Sequence, residues 1–173
     1  MVRALLAIFL FLGIQESTRS QVNDEMFTIY LARHAEKSVA AVNPDDPPLS
    51  ACGQRRAERL ALMLRNVNLD RIYSTPYLRT RETALPAAAG HGLEVEAYDP
   101  AGLEAFAAAL LNHKQNALVI GHSNTTAVLA GMIAGMAGEE FDEDEYDRLY
   151  LVTVSGDRNQ VILLDQAFHC DEP

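Results

Sequence analysis

Two histidines and two arginines stand where short apolar runs give way to loops. Arg33-His34 follows Phe27 to Ala32, Ser74-Thr75-Pro76 leads into Arg79 after a second run, and Gly121-His122-Ser123-Asn124 follows Ala117 to Ile120. These residue types suit phosphoryl transfer, which needs a nucleophile in line with the leaving oxygen and fixed positive charge around the three equatorial oxygens. Imidazole is such a nucleophile, and the planar arginine fork donates two hydrogen bonds to a phosphate. Arg33, Arg79 and a protonated His122 are therefore expected to hold the oxygens around His34. Helix starts expected at Thr75 and Ser123 would add backbone N–H groups. The five histidines show no spacing such as His-Glu-x-x-His, so no metal and no cofactor is expected.

The elements that must position these residues follow from hydrophobic period and breakers. Phe27 to Ala32 reads as a buried strand, and Pro44, Pro47 and Pro48 keep Ser38 to Leu49 a loop. Ser50 is placed as an N-cap before a helix over Gly53 to Leu64. Asp70 to Ser74 is a second strand, and a helix follows from Thr75-Pro76 to about Ala89, closed by Gly90 and Gly92. Leu93 to Tyr98 alternates like a strand, Gly102 to Asn112 returns to helical spacing, and Ala117 to Ile120 is a fully apolar strand. Asn124 to Met136 forms the last helix, and Leu149 to Val154 with Val161 to Leu164 forms a hairpin across Ser155-Gly156-Asp157. The acidic stretch Glu139 to Asp147 lacks the spacing of a calcium loop and reads as a solvated connection.

Alternating strands and helices predict a three-layer α/β/α fold on a mostly parallel sheet, with ligands at the carboxyl ends of the strands. At 173 residues, 49% hydrophobic, the chain makes one such domain. The domain is expected over residues 21–173. Ahead of it, Arg3, the apolar run Ala4 to Ile14 and polar Gln15 to Ser20 have the shape of a secretory signal. The run falls short of the about 20 apolar residues that span a bilayer, so stable membrane insertion is not expected. The chain is then exported, to a periplasm or the medium, where Cys52 and Cys170 either pair or remain as two thiols. The net charge of −10 disfavours a nucleic-acid partner and leaves the capture of an anion to a local arginine cluster.

Four segments together resemble one family. Leu31 to Lys37 (L-A-R-H-A-E-K) is similar to the Arg-His-Gly-Glu signature of the histidine phosphatase superfamily, also called phosphoglycerate-mutase-like. P-L-S-A-C-G-Q-R-R-A-E resembles its Leu-Ser/Thr-x-x-Gly helix start, S-T-P-Y-L-R-T-R-E-T-A its Ser-Ser-Pro-x-x-Arg helix, and L-V-I-G-H-S-N its Val-x-Gly-His block. The resemblance runs from about Thr28 to Leu164 and implies a phosphoglycerate-mutase-like fold of the short branch 1 kind. It implies a phosphomonoester hydrolase acting on a small phosphorylated substrate, with His34 as nucleophile and Arg33, Arg79 and His122 on the phosphoryl oxygens. Ala35 and Glu82 depart from the family's glycine and glutamine. For the proton donor, Asp99 at a strand's carboxyl end is selected over Glu104 and Glu36, with a plain turn role before Pro100 as the alternative.

Other readings of the same residues remain. Gly121-His122-Ser123 leading into a helix also describes a serine-hydrolase elbow, with Ser123, Asp147 or Asp165, and His169 in order, although Thr125 stands where a glycine belongs. A phosphoester-binding protein without turnover would keep the same pocket. Arg55, Arg56 and Arg59 alternate with Glu58 as a solvated face, and Ser123 and Asn124 either cap their helix or touch phosphate.

Overall fold

In the computed structural model, the described residues are 26–138, 140–156 and 158–170. The proposed leader and its cleavage point lie outside them. Ten elements follow in order: β1 Phe27–Arg33, α1 Ala51–Leu64, β2 Arg71–Ser74, α2 Leu78–His91, β3 Val95–Ala97, α3 Leu103–His113, β4 Ala117–Gly121, α4 Thr126–Ala134, β5 Arg148–Ser155 and β6 Arg158–Asp165. The six strands form one sheet in the order β3-β2-β4-β1-β5-β6. The first four run parallel, and β5 and β6 form an antiparallel hairpin beside β1. The mostly parallel α/β expectation holds.

Alternation along β1 shows how the layers close. Phe27, Ile29 and Leu31 enter one core with residues of α3 and α4, whereas Ala32 enters the opposite core with Leu60, Leu64, Ala84 and Ala87 of α1 and α2. The chain leaves β1 for β2 on one side of the sheet and leaves β4 for β5 on the other. Adjacent β1 and β4 therefore form the topological switch point, where a crevice opens at the carboxyl ends. The His34 N–H donates to the Gly121 carbonyl at 2.9 Å, extending the ladder to that crevice.

Two helix starts differ from the sequence expectation. α2 begins at Leu78 rather than Thr75, because Asp46 of the preceding loop caps it by accepting the Leu78 N–H at 2.8 Å. α4 begins at Thr126 because the Thr125 hydroxyl takes the His122 N–H at 3.0 Å, closing a turn first. Ser50 does cap α1, accepting the Gly53 N–H at 3.0 Å. At the other end of α2, the helix runs through Gly90 and stops at Gly92, whose φ of +66° suits glycine.

Gly53 has a packing reason for being glycine. A Cβ there would lie 2.2 Å from the Glu36 carbonyl oxygen, two residues beyond His34. Backbone cannot yield as a side chain tip can. Gly53→Ala is expected to destabilise the fold by about 1–3 kcal/mol, lowering Tm by about 3–10 °C in thermal unfolding. An unchanged Tm would mean that the Glu36 peptide moves freely.

Candidate active site

The strand ends bring Arg33, His34, Arg79 and His122 into one cavity of about 610 Å³, which Lys37, Tyr77, Pro100, Ala101, Ser123 and residues 140–143 also line. His34 is 3% exposed. Its Nδ1 lies 2.8 Å from the Ala35 carbonyl, which can only accept, so Nδ1 carries the proton and the Nε2 lone pair is bare. The adjoining Ala35 N–H donates to Thr83 Oγ1 at 3.0 Å, and that hydroxyl donates to the Arg79 carbonyl at 2.7 Å. The His34 loop is thereby registered on the helix that carries Arg79.

Around His34 the cations are held mainly by carbonyls and aromatic rings, with one long ion pair. Arg33, also 3% exposed, donates from Nη1 to the Asp142 and Glu145 carbonyls at 3.2 Å each and stacks 4.2 Å from the Tyr146 ring centre. Its buried Nε has no partner. Arg79 sits 4.5 Å from the Tyr77 ring centre, with Asp46 Oδ1 3.9 Å from its guanidinium. The His122 ring centre is 5.4 Å from that of His34. Its Nε2 meets Thr75 Oγ1 at 3.0 Å, and Thr75 Oγ1 meets Thr80 Oγ1 at 2.9 Å. Because the Thr80 hydroxyl donates to a carbonyl, Thr75 donates to Thr80 and accepts from His122. The Gly121 before it is tightly surrounded, since a Cβ would lie 2.9 Å from the Tyr98 hydroxyl.

Burial, with the charges of Arg33, His122 and Arg79, pushes the His34 pKa down to about 3 against the Ala35 hydrogen bond. Burial with Arg79 and Arg33 pushes His122 down to about 4. His122 is therefore neutral near pH 7 in this environment, unlike the sequence expectation of a standing cation. A phosphoryl dianion supplies the opposing charge that favours its imidazolium. Both folded pKa values lie below the usual 6.5, so the unfolded chain binds more protons between about pH 3 and 6.5. Stability is expected to rise with pH across that window and flatten above it. Urea unfolding from pH 4 to 7 measures the slope, and His34→Gln should reduce it; an equal slope would place the titration elsewhere.

Asp99 is exposed and its carboxylate accepts the Ala101 N–H at 2.9 Å, while its neighbours Pro100 and Ala101 line the cavity. Ser123 and Asn124 line the cavity too, and the α4 turn is closed by Thr125, so capping is not their role. The serine-hydrolase arrangement is absent: His169 lines a different cavity, with Arg56, Asp147 and Phe168, and Asp165 accepts the Ala167 N–H. Arg56 is not solvated as expected but 6% exposed, with Nε 2.9 Å from both Glu36 oxygens. Packing of α1 against the Glu36 loop, invisible in the helix pattern, puts it there.

The acidic stretch also departs from expectation, since residues 140–143 form a cavity wall; Glu139 lies outside the described residues. Nothing in its composition announced that role, or that of Tyr146 beneath Arg33. Cys52 and Cys170 are joined, with Cα atoms 5.8 Å apart, and the Glu36 carboxylate lies 3.1 Å from Cys170 Sγ. These three residues bring potential metal-binding atoms within 4.8 Å, but Glu36 faces Arg56 and the sulfurs bond each other. The tail continues that tie: Gln166 donates from its backbone to the Asp147 carbonyl at 2.8 Å and from Nε2 to the Tyr146 carbonyl at 3.3 Å.

Residues 29–100, which include His34 and Arg79, match the model of the histidine phosphatase superfamily, branch 1. Over that segment the chain is similar to members of that superfamily. A probable phosphatase of Schizosaccharomyces pombe is 36% identical over 73 residues, 39% of this chain and 26% of the relative. Phosphoserine phosphatase 1 of Hydrogenobacter thermophilus is 42% identical over 74 residues, 40% of this chain and 35% of the relative. The matched segment thus spans about a quarter to a third of these curated relatives. Among solved structures, the protein histidine phosphatase SixA in complex with tungstate superposes with a TM-score of 0.66 at 20% identity, covering 81% of this chain and 97% of SixA. The α-ribazole phosphatase of Shigella flexneri gives 0.68 at 17%, covering 84% and 100%. The fold shared with these structures thus extends beyond the matched segment.

Proposed function

We propose that this chain is an exported phosphatase that hydrolyses small phosphomonoesters without a metal, through a phosphohistidine on His34. The observation that carries this reading is the bare Nε2 of a buried, neutral imidazole between two arginines and a second histidine in one cavity. Nε2 attacks phosphorus as the P–O bond to the leaving group breaks, and the Ala35 carbonyl steadies Nδ1–H on the phosphorylated ring. Water then attacks phosphorus, the P–N bond breaks and the imidazole is restored. Arg33, Arg79 and an imidazolium on His122 offset the charge on the oxygens, the part a metal plays elsewhere. The tungstate bound by SixA, an oxyanion, fits the same assignment. Export is supported by the leading apolar run and by the Cys52–Cys170 pair, which suits an oxidising compartment.

The protein should release phosphate from p-nitrophenyl phosphate in the presence of a chelator, be blocked by vanadate, and yield an acid-labile, alkali-stable phosphoprotein on rapid quenching. Saturable ester binding with no phosphate release would replace the enzyme by a binding protein. Asp99 is the proposed donor to the leaving oxygen, after exchanging its bond to Ala101 for the substrate. Asp99→Asn is then expected to slow alkyl phosphates at least about tenfold more than p-nitrophenyl phosphate, whose departure needs little protonation. Equal losses in the two kcat values would move the proton to another group.

A further inference from the structure

Among the described residues, the hydrogen bonds and the ring contact that hold the Arg33 side chain all come from one short segment between α4 and β5. Nη1 donates to the Asp142 and Glu145 carbonyls at 3.2 Å each, and the guanidinium lies 4.2 Å from the centre of the Tyr146 ring. Nε takes no partner. Two bonds from a single nitrogen fix one corner of the planar group and leave its plane free to turn, so the ring face is what sets that plane. The same ring meets His34 edge-on, with centres 6.1 Å apart. Tyr146 thus touches two of the groups that line the cavity without lining it itself.

The chain's tail holds this segment from behind. Gln166, just past β6 and 3% exposed, donates its backbone N–H to the Asp147 carbonyl at 2.8 Å and its Nε2–H to the Tyr146 carbonyl at 3.3 Å. Beyond it, the Phe168 ring lies 5.0 Å from the Arg56 guanidinium of α1, and Cys170 is bonded to Cys52 of the same helix. Chain ends fray unless they are tied down, and this one is tied shortly after its clamp on Tyr146.

We propose that Tyr146 is a positioning residue for Arg33: its ring sets the plane of the guanidinium fork, and the disulfide-tied tail, through Gln166, keeps the ring in place. This rests on the phosphatase reading and adds to it how one arginine of the site is aimed. A fork donates two parallel hydrogen bonds to a phosphoryl group only when its plane is right, and a plane free to turn surrenders one of them.

The test measures kcat/KM for p-nitrophenyl phosphate and the calorimetric Kd for vanadate. Tyr146→Leu is expected to weaken both by about 3–30-fold, the range that a desolvated cation–ring contact spans. Tyr146→Phe keeps the ring face and should stay within about twofold of the wild type. The leucine loss should vanish in an Arg33→Gln background, where an amide still serves the two carbonyls but no charged plane remains, and persist in an Arg79→Ala background. Gln166→Ala and the Cys52→Ser/Cys170→Ser variant should show smaller losses that Arg33→Gln likewise removes. Phenylalanine as harmful as leucine, or a leucine loss that survives Arg33→Gln, overturns the proposal; full activity in both tail variants overturns the tail's part in it. Should Tyr146→Leu not fold, Gln166→Ala with and without Arg33→Gln decides by the same criterion. Should the wild type not hydrolyse p-nitrophenyl phosphate, it is the phosphatase reading that fails, and the vanadate Kd values of the same variants decide the role of Tyr146 alone.

Discussion

Replacing His34 by alanine is expected to abolish phosphate release from p-nitrophenyl phosphate, with a loss on the order of 10⁴-fold or more in kcat, as for other nucleophiles that act within a unit. The magnitude follows from the site's geometry. Only His34 presents a bare ring nitrogen held by a neighbour that cannot donate, the Ala35 carbonyl at 2.8 Å. The other cavity histidine, His122, points Nε2–H at Thr75 and sits 5.4 Å away, ring centre to ring centre. A second consequence separates nucleophile from mere ligand: the acid-labile phosphate captured on the wild-type chain should be missing from His34→Ala while vanadate still binds. Retained turnover, or phosphate trapped on another residue, would remove His34 from this role. The variant should stay folded, because alanine in place of a neutral buried imidazole forfeits one ring hydrogen bond and no ion pair.

Arg79→Ala is expected to cost about 10²–10³-fold in kcat/KM, the range seen on removing one preorganised donor to transition-state charge. Arg79 is a cleaner probe than Arg33. Arg33 also anchors the acidic wall through Asp142 and Glu145, so its loss would disturb the cavity's shape together with its charge. Arg79 rests on Tyr77 at the mouth of α2 and holds no main-chain carbonyl of the acidic segment, so its removal leaves that wall anchored. Lysine in its place should restore little, since a point charge does not reproduce a two-pronged donor. The effect should fall on kcat as well as KM if the guanidinium follows charge into the transition state. A change confined to KM would make it a ground-state anchor.

Some of the scaffold was readable because it is local. Ser50 before an apolar helix is a capping pattern, and the structure puts its hydroxyl on the Gly53 N–H. The run at β4 is apolar on both faces because helices cover both, which also marks it as a central strand. Arg33-His34, Arg79 and Gly121-His122 were legible for a related reason: in a parallel sheet, a residue just past a strand's carboxyl end is committed to one rim before any packing is known. The helix starts near Thr75 and Ser123 were displaced because the groups that settle them, Asp46 and the Thr125 turn, lie in other segments or compete within the loop.

By itself, then, the sequence determined the alternation of strands and helices, and with it the shared rim of Arg33, His34, Arg79 and His122. These follow from period and chain order, which neighbours cannot alter. Only the tertiary structure decided the protonation and environment of those side chains. Burial makes both cavity histidines neutral, the turn after β1 brings the Ala35 carbonyl onto the His34 ring, and Arg56 leaves its helical face for Glu36. Only the fold, too, turned a plain acidic connection into part of the cavity's lining. Desolvation and long-range contact depend on what packs above a residue, and spacing along the chain carries no record of that.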